Sequence, residues 1–500
     1  MDVFGSLLSG FLVSLQPANL GYTLLGVFLG TVIGILPGIG PSATIALLLP
    51  ITYGMSPTSA LIMLAGIFYG ARYGGSTTSI LIRTPGEASS MMTSIDGYQM
   101  ALKGRGGAAL AVAAIGSFIA GTMGLVGLIL FAVPLTDFAL RFGPAEYFML
   151  MVFAMSSLVA MSSGSPLKGI ASALLGLMIA TIGIDQQSGR QRFTMGVLEF
   201  QDGIDVIVVI VGLFALSEVL RSIGEIAAGR APEIIRIKGS LWLTAEEWRR
   251  SVGPIWRGGL VGFIVGILPG AGGAISAIMS YTVEKRLSPR PEEFGKGAIE
   301  GVAGPEAANN ADTAGAMVPL LTLGLPGGGT TAILLSAFVM FGIQPGPFLF
   351  RDHPDLVWGL ITSMFIGNVL LLILNLPLVG LFVRLLYIPN GILFPLIVAV
   401  SVVGVYALDG SVLDLYLLLL FGVIGYVFDK VGIPVAPLVL ALVLGTPMEK
   451  SFRQALTLSD GDPSVLLRGP ICISLFAMAV LMVAVPLVGP HLRRWKKPRA

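Results

Sequence analysis

Four short stretches of this chain carry the residue types from which a site for a small anion or cation is built inside an apolar protein. The first is Leu36-Pro37-Gly38-Ile39-Gly40-Pro41-Ser42, and its counterpart is Leu268-Pro269-Gly270-Ala271-Gly272-Gly273. Proline removes a backbone donor and glycine permits positive φ, so together they end one helix and let another start. Helix N-termini offer free N–H groups and partial positive charge, a ready site for carboxylates. Gly38, Gly40, Ser42, Gly270 and Gly272 are therefore candidate substrate-binding residues, with Pro37 and Pro269 as the helix breakers. A single Pro-Gly pair is equally a kink or a small-residue packing seam. Two matched copies favour a site.

The second stretch is Gly74-Gly75-Ser76-Thr77-Thr78-Ser79, followed by the break Thr84-Pro85-Gly86. Hydroxyl and backbone oxygens can ligate Na⁺, and hydroxyls and N–H groups can hold a carboxylate. Ser76, Thr77 and Thr78 are read as substrate-binding and Ser79 as ion-coupling; Arg72 and Arg83 are candidate anion partners, because a guanidinium fork matches a carboxylate. The competing reading is that these hydroxyls bond back to their own helix and the arginines are interfacial anchors. The third stretch is Gly304-Pro305-Glu306-Ala307-Ala308-Asn309-Asn310-Ala311-Asp312-Thr313. Ionisable residues at membrane depth are costly and point to function. Glu306, Asp312 and Thr313 are candidates for a coupling Na⁺ or H⁺, and Asn309 and Asn310 for substrate. The alternative is an exposed loop. The fourth is Gly324-Leu325-Pro326-Gly327-Gly328-Gly329-Thr330-Thr331. It lacks the lysine of a P-loop. Pro85, Gly86, Pro326 and Gly327 read as hairpin tips, with Thr330 and Thr331 as substrate contacts.

The elements that must position these residues are membrane helices. The chain has 500 residues, 55% hydrophobic and 12% charged, with mean hydropathy +0.88. A soluble domain carries about 25% charge. The sole cysteine, Cys472, excludes an intramolecular disulfide, and two histidines are too few for a histidine-built metal site. No transition-metal site or organic cofactor is expected, and neither a zinc-protease motif nor a nucleophile elbow is present. An enzyme is disfavoured, and a net charge of +2 gives no reason to expect nucleic acid. The N-terminus lacks the basic region of a signal peptide.

A span needs about 20 apolar residues. The pattern predicts an all-α polytopic fold of about 11–12 membrane helices, with an interfacial segment over 1–19, a first repeat over 20–220, a connecting loop over 221–257, a second repeat over 258–456, and a final helix with a basic tail over 457–500. Regions 41–107 and 271–350 are too polar for lipid-facing helices and too apolar for aqueous loops; broken helices or re-entrant hairpins fit them. The Lys/Arg excess of 221–257 and of the tail places both in the cytoplasm. No Lys or Arg precedes Arg72, so nothing holds the N-terminus inside. Gly-Ile-Leu-Pro-Gly recurs 232 positions on (34 to 266), and the Pro-Gly tips recur 241 positions on (84 to 325). Such spacing indicates duplication. With an odd number of spans between an outer N-terminus and an inner loop, the two copies become inverted repeats.

The stretches GILPGIGPSATIALLLP, YGARYGGSTTSILIRTPGEASS, DGYQMALKGRGGAAL, GILPGAGGAISAIMSY and GPEAANNADTAGAMVPLLTLGLPGGGTTAILL resemble the large membrane subunit of the tripartite tricarboxylate transporters. The resemblance runs from about Gly21 to Gly445. It implies a multi-pass permease of the bacterial inner membrane, working with a small membrane subunit and a periplasmic solute-binding protein. It further implies carboxylates as substrates and symport with an ion gradient, and a further resemblance to ion-transporter-type folds implies an elevator movement of the core carrying both hairpins. A passive anion channel and a membrane-embedded enzyme are the alternatives.

Overall fold

The computed structural model describes residues 3–36, 39–83, 87–161, 165–185, 187–227, 240–384 and 388–495. A chain this apolar must satisfy its backbone internally in lipid, and helices do so within one segment. Seven described helices are long and apolar enough to cross a membrane, among them Pro17–Gly34, Gly106–Ala139, Pro144–Met161 and Pro354–Asn375. The only sheet among the described residues is a hairpin pairing Gly183–Ile184 with Gln191–Arg192. The chain is an all-α polytopic membrane protein.

Two helices differ from the rest. Pro57–Ile82 and Glu300–Leu323 are buried along almost their whole length, although they carry arginine, acids and amides. Around each, the chain repeats one order of elements. A long helix (Pro17–Gly34; Ala245–Ile267) ends within Gly-Ile-Leu-Pro-Gly, and a further helix restarts (Pro41–Leu48; Gly272–Leu287). The buried helix follows and stops on a left-handed residue, Arg83 at φ 54° or Gly324 at φ 70°. After the tip comes another short helix, Met91–Leu102 preceded by a turn of 3₁₀ helix at Ala88–Ser90, or Gly329–Met340. Regions 41–107 and 271–350 thus contain the expected broken helices, but each also holds one uninterrupted buried helix. The stretch from Gly304 to Thr313 is helical and buried, not an exposed loop.

Glycines set how closely these helices approach. A Cβ on Gly26, Gly30 or Gly34 would lie 2.3, 2.4 and 2.5 Å from the carbonyl oxygens of Met63, Ile67 and Ala71. A Cβ on Gly258, Gly262 or Gly266 would lie 2.3, 2.1 and 2.6 Å from those of Gly304, Ala308 and Asp312. No side chain fits there, so the backbones touch. The first set of glycines recurs 232 positions on, and the carbonyls they meet recur 241 positions on. The two breaks and the two tips have the same two spacings. The duplication read from motifs is therefore also a duplication of packing.

The two copies interlock. Gly106–Ala139, which follows the first tip, packs on Glu300–Leu323, while Pro354–Asn375, which follows the second, packs on Pro57–Ile82. Asn310 Nδ2 donates to Ser117 Oγ at 2.7 Å, and Tyr73 donates its hydroxyl to Asn368 Oδ1 at 2.9 Å. The polar stretch 221–257 is not loop throughout, because Ser217–Ala227 and Ala245–Ile267 enter it from either side. Ala245–Ile267 starts on a capping box between Thr244 and Glu247.

Candidate functional site

A cavity of about 360 Å³ lies where both breaks and both tips meet. Gly40, Pro41 and Ser42 line it from the first break, and Gly272, Gly273 and Ala274 from the second. The tips contribute Glu87, Ala88 and Ser89 on one side and Gly327, Gly328, Gly329, Thr330 and Thr331 on the other. Phe68, Arg72, Asp312 and Ala316 reach it from the buried helices. Pro41–Leu48, Gly272–Leu287 and Gly329–Met340 all begin at its wall. Three helix N-termini turned to one small cavity make it favourable for negative charge.

Arg72 is its one arginine, and only 5% of that residue is exposed. It crosses from the first copy to the second. Its Nη1 donates to Asn309 Oδ1, its Nη2 donates to Asp312 Oδ2 at 3.4 Å, and Nη1 lies 3.4 Å from Glu87 Oε1. The guanidinium carbon sits 5.2 Å from the centre of the Phe68 ring. Its Nε has no hydrogen-bond partner among the described residues. Gly273 makes room for this reach, since a Cβ there would stand 2.0 Å from Arg72 Nη1. Asp312 is fixed by a hydrogen bond from Ser276 Oγ at 2.8 Å. Ser42 and Thr330 share a 2.9 Å hydrogen bond, joining the two copies across the cavity. Gly270 N–H donates to Gly327 O at 2.9 Å, tying the second break to the second tip, and Thr331 Oγ1 accepts from Gly328 N–H at 2.9 Å.

Behind the cavity lies a second polar centre. Glu306 is wholly buried and accepts from Ser76 Oγ at 2.5 Å and from Thr93 Oγ1. It makes no ion pair among the described residues.

Of the candidates read from the sequence, Gly40, Ser42, Gly272, Asp312, Gly327, Thr330 and Thr331 line the cavity, and Asn309 holds Arg72. Ser76 and Glu306 meet behind it. Thr78, Ser79 and Thr313 bond back to Gly75, Gly75 and Asn309 of their own helices, at 2.8, 3.0 and 3.4 Å. Thr77 faces a separate small void beside Ser117, and Asn310 turns to Ser117 as well. Pro269, Gly270 and Pro326 are not among the residues that line the cavity. Pro37, Gly38, Pro85 and Gly86 lie outside the described residues. Of the two arginines, Arg72 enters the cavity, whereas Arg83 is exposed and stacks on Tyr98 at 5.8 Å.

Sequence reasoning missed Glu87, Ser89, Phe68, Thr93, Gly273 and Ser276 as members of the site. Repeat register was the available signal for two of them. Glu87 and Ser89 stand 241 positions before Gly328 and Thr330, so both tips present corresponding residues to the cavity.

The model of the tripartite tricarboxylate transporter TctA family matches residues 20–440. An uncharacterised 52.8 kDa protein of Agrobacterium vitis, from the TAR-I ttuC' 3' region, is 46% identical over 493 residues, covering 99% of this chain and 98% of the relative. A second uncharacterised protein of that organism, from the TAR-II ttuC' 3' region, is 46% identical over 232 residues, or 46% of this chain and 96% of the relative. No solved structure matches the chain. The match spans both breaks, both tips and both buried helices, and the chain belongs to the tripartite tricarboxylate transporter TctA family as its multi-pass membrane subunit.

Proposed function

We propose that this chain is a secondary active permease that imports small carboxylates across the inner membrane of a bacterium, with symport of H⁺ or Na⁺. One observation carries this reading. A buried arginine with a free Nε stands in a cavity onto which three helix N-termini converge. That combination suits a carboxylate. Coupling follows from charge. Arg72 is close to Asp312 and Glu87, and Glu306 lies behind without an ion pair. Three carboxylates against one guanidinium make entry of a further anion unfavourable unless cations accompany it. Glu306 and Asp312 are the proposed carriers. No other cofactor is required.

The family's tripartite organisation supports a small membrane subunit and a periplasmic solute-binding protein as partners. Opposite orientation of the two copies, and an elevator movement carrying both tips, belong to the same proposal. The test is uptake in proteoliposomes holding all three subunits, with Na⁺ and pH varied separately. Accumulation that requires the binding protein and collapses with an ionophore is expected. Equilibration without accumulation would indicate a channel, and chemical turnover of the carboxylate an enzyme; either would overturn the proposal.

A further inference from the structure

The cavity's guanidinium is already shared between two carboxylates, and they are held differently. Asp312 sits in mid-helix, is 1% exposed, and is fixed by Ser276 at 2.8 Å. Glu87 stands beyond the first tip, at the cavity wall. Its Oε1 lies 3.4 Å from Arg72 Nη1, accepts from Asn309 Nδ2 at 3.4 Å, and accepts from Ser89 Oγ. A guanidinium, an amide N–H and a hydroxyl at a cavity wall are the donors a ligand carboxylate would use. The fold does not demand a carboxylate at this point, because the corresponding residue of the other tip is Gly328.

We infer that Glu87 is a tethered stand-in for the ligand: it occupies the Arg72 end of the empty cavity and must withdraw when a carboxylate binds. This rests on the carboxylate reading above. Two carboxylates cannot share that end cheaply, since like charges placed together in a dry site repel strongly. Asp312 is buried and anchored, so Glu87 is the one to leave. Its departure frees a donor position on Nη1, which keeps its bond to Asn309, for the incoming carboxylate. Binding is thereby coupled to withdrawal of the Glu87 side chain, and a neutral solute of similar shape has no means of driving it.

The test measures binding of citrate and of succinate to the purified full-length chain in lipid nanodiscs, comparing wild type with E87Q, E87A and E87D. E87Q should bind both probes about tenfold more tightly than wild type, because a competing charge is gone. E87A, which removes the side chain as Gly328 does at the other tip, should show the same tightening, and E87D should stay near wild type. Wild-type binding with equal or weaker binding by both E87Q and E87A would overturn the inference and leave the carboxylate reading standing. No binding of either probe to any of these proteins, while they remain folded, would overturn both.

Discussion

The two copies of the broken-helix unit share a skeleton and differ in chemistry. Their glycine seams and left-handed helix stops correspond residue by residue, at spacings of 232 and 241 positions, and the helix restarts after the two breaks fall one position apart in that register. The side chains at the cavity do not correspond. Arg72 matches Thr313, Asp312 matches Ala71, and Glu87 matches Gly328. The first break presents Pro41 where the second presents Gly273, the residue whose missing Cβ admits the arginine. Duplication therefore supplies symmetric walls and paired helix N-termini, which attract any small anion. The unmatched residues supply one cationic end and a surplus of carboxylates, which make the site directional. Backbone equivalence and chemical non-equivalence can be broken separately.

The largest effect is expected at the matched pair Arg72 and Thr313. Arg72→Ala leaves Asp312 buried without its partner, a loss of about 3–5 kcal/mol. We predict a clearly lowered thermal midpoint and no carboxylate exchange. Arg72→Lys keeps the charge without the fork and should remain at least about tenfold impaired in exchange. Thr313→Ala removes a bond to its own helix and one buried methyl group, and should cost only about 1–2 kcal/mol. Similar losses at 72 and 313 would refute chemical non-equivalence.

Next come the seams. Gly30→Ala and Gly262→Ala each push a methyl group against a carbonyl oxygen, at 2.4 Å from Ile67 O and 2.1 Å from Ala308 O. Each should destabilise by about 1–3 kcal/mol through overpacking. Urea or thermal unfolding should rank them together; tolerance of one and not the other would break the backbone equivalence.

Much of this skeleton was legible in the sequence, and the reason is physical. Helix breaks need Pro and Gly whatever surrounds them, so Gly34, Pro37, Gly266 and Pro269 announce themselves. Buried ionisable residues such as Glu306 and Asp312 stand out against apolar neighbours. The assignment of hydroxyls was less legible. Ser76, Thr77, Thr78 and Ser79 are one run, yet a helix turns each to a different face. Only Ser76 reaches Glu306, and Thr78 and Ser79 return to Gly75. Partners from another helix, such as Ser276 for Asp312, or from the other copy, such as Thr93 for Glu306, are fixed by tertiary approach and leave no local pattern. Glu87 was hidden for another reason: it follows a tip and looks like a surface acid until its neighbours are placed.

A smaller effect is expected behind the cavity. Ser76→Ala removes one of two hydroxyl donors to Glu306, at a cost of about 1–3 kcal/mol. Its match in the other copy is Met317, which has no such duty. Thermal unfolding should show the loss at Ser76, with Met317→Leu close to neutral.

The smallest effect lies outside both copies' cores, in the hairpin near 183–192. Hydrogen bonds, first from Arg192 and then from the Gln187 and Ser188 N–H groups, hold Asp185 well below the usual carboxylate range. A depressed carboxylate stabilises the fold above its unfolded value, and the benefit fades as pH falls toward the folded value. Asp185→Asn should therefore lower thermal stability slightly at pH 6–7, by roughly as much as a surface ion pair contributes, with the difference from wild type shrinking at strongly acid pH and in high salt. A difference that grows on acidification would contradict this account.

The central claim is that one carboxylate site has a wall from each copy. It is tested most directly by ligand protection of single cysteines in a Cys472→Ala background. Ser42→Cys reports the first copy's wall and Thr330→Cys the second's, since their hydroxyls are 2.9 Å apart across the cavity. Thr446→Cys is the control, in a separate cavity of about 650 Å³ that meets the second tip at Gly324 and Leu325. Citrate should slow thiol labelling at positions 42 and 330 with the same concentration dependence and leave position 446 unchanged. Protection of only one wall, or protection confined to position 446, would contradict the account.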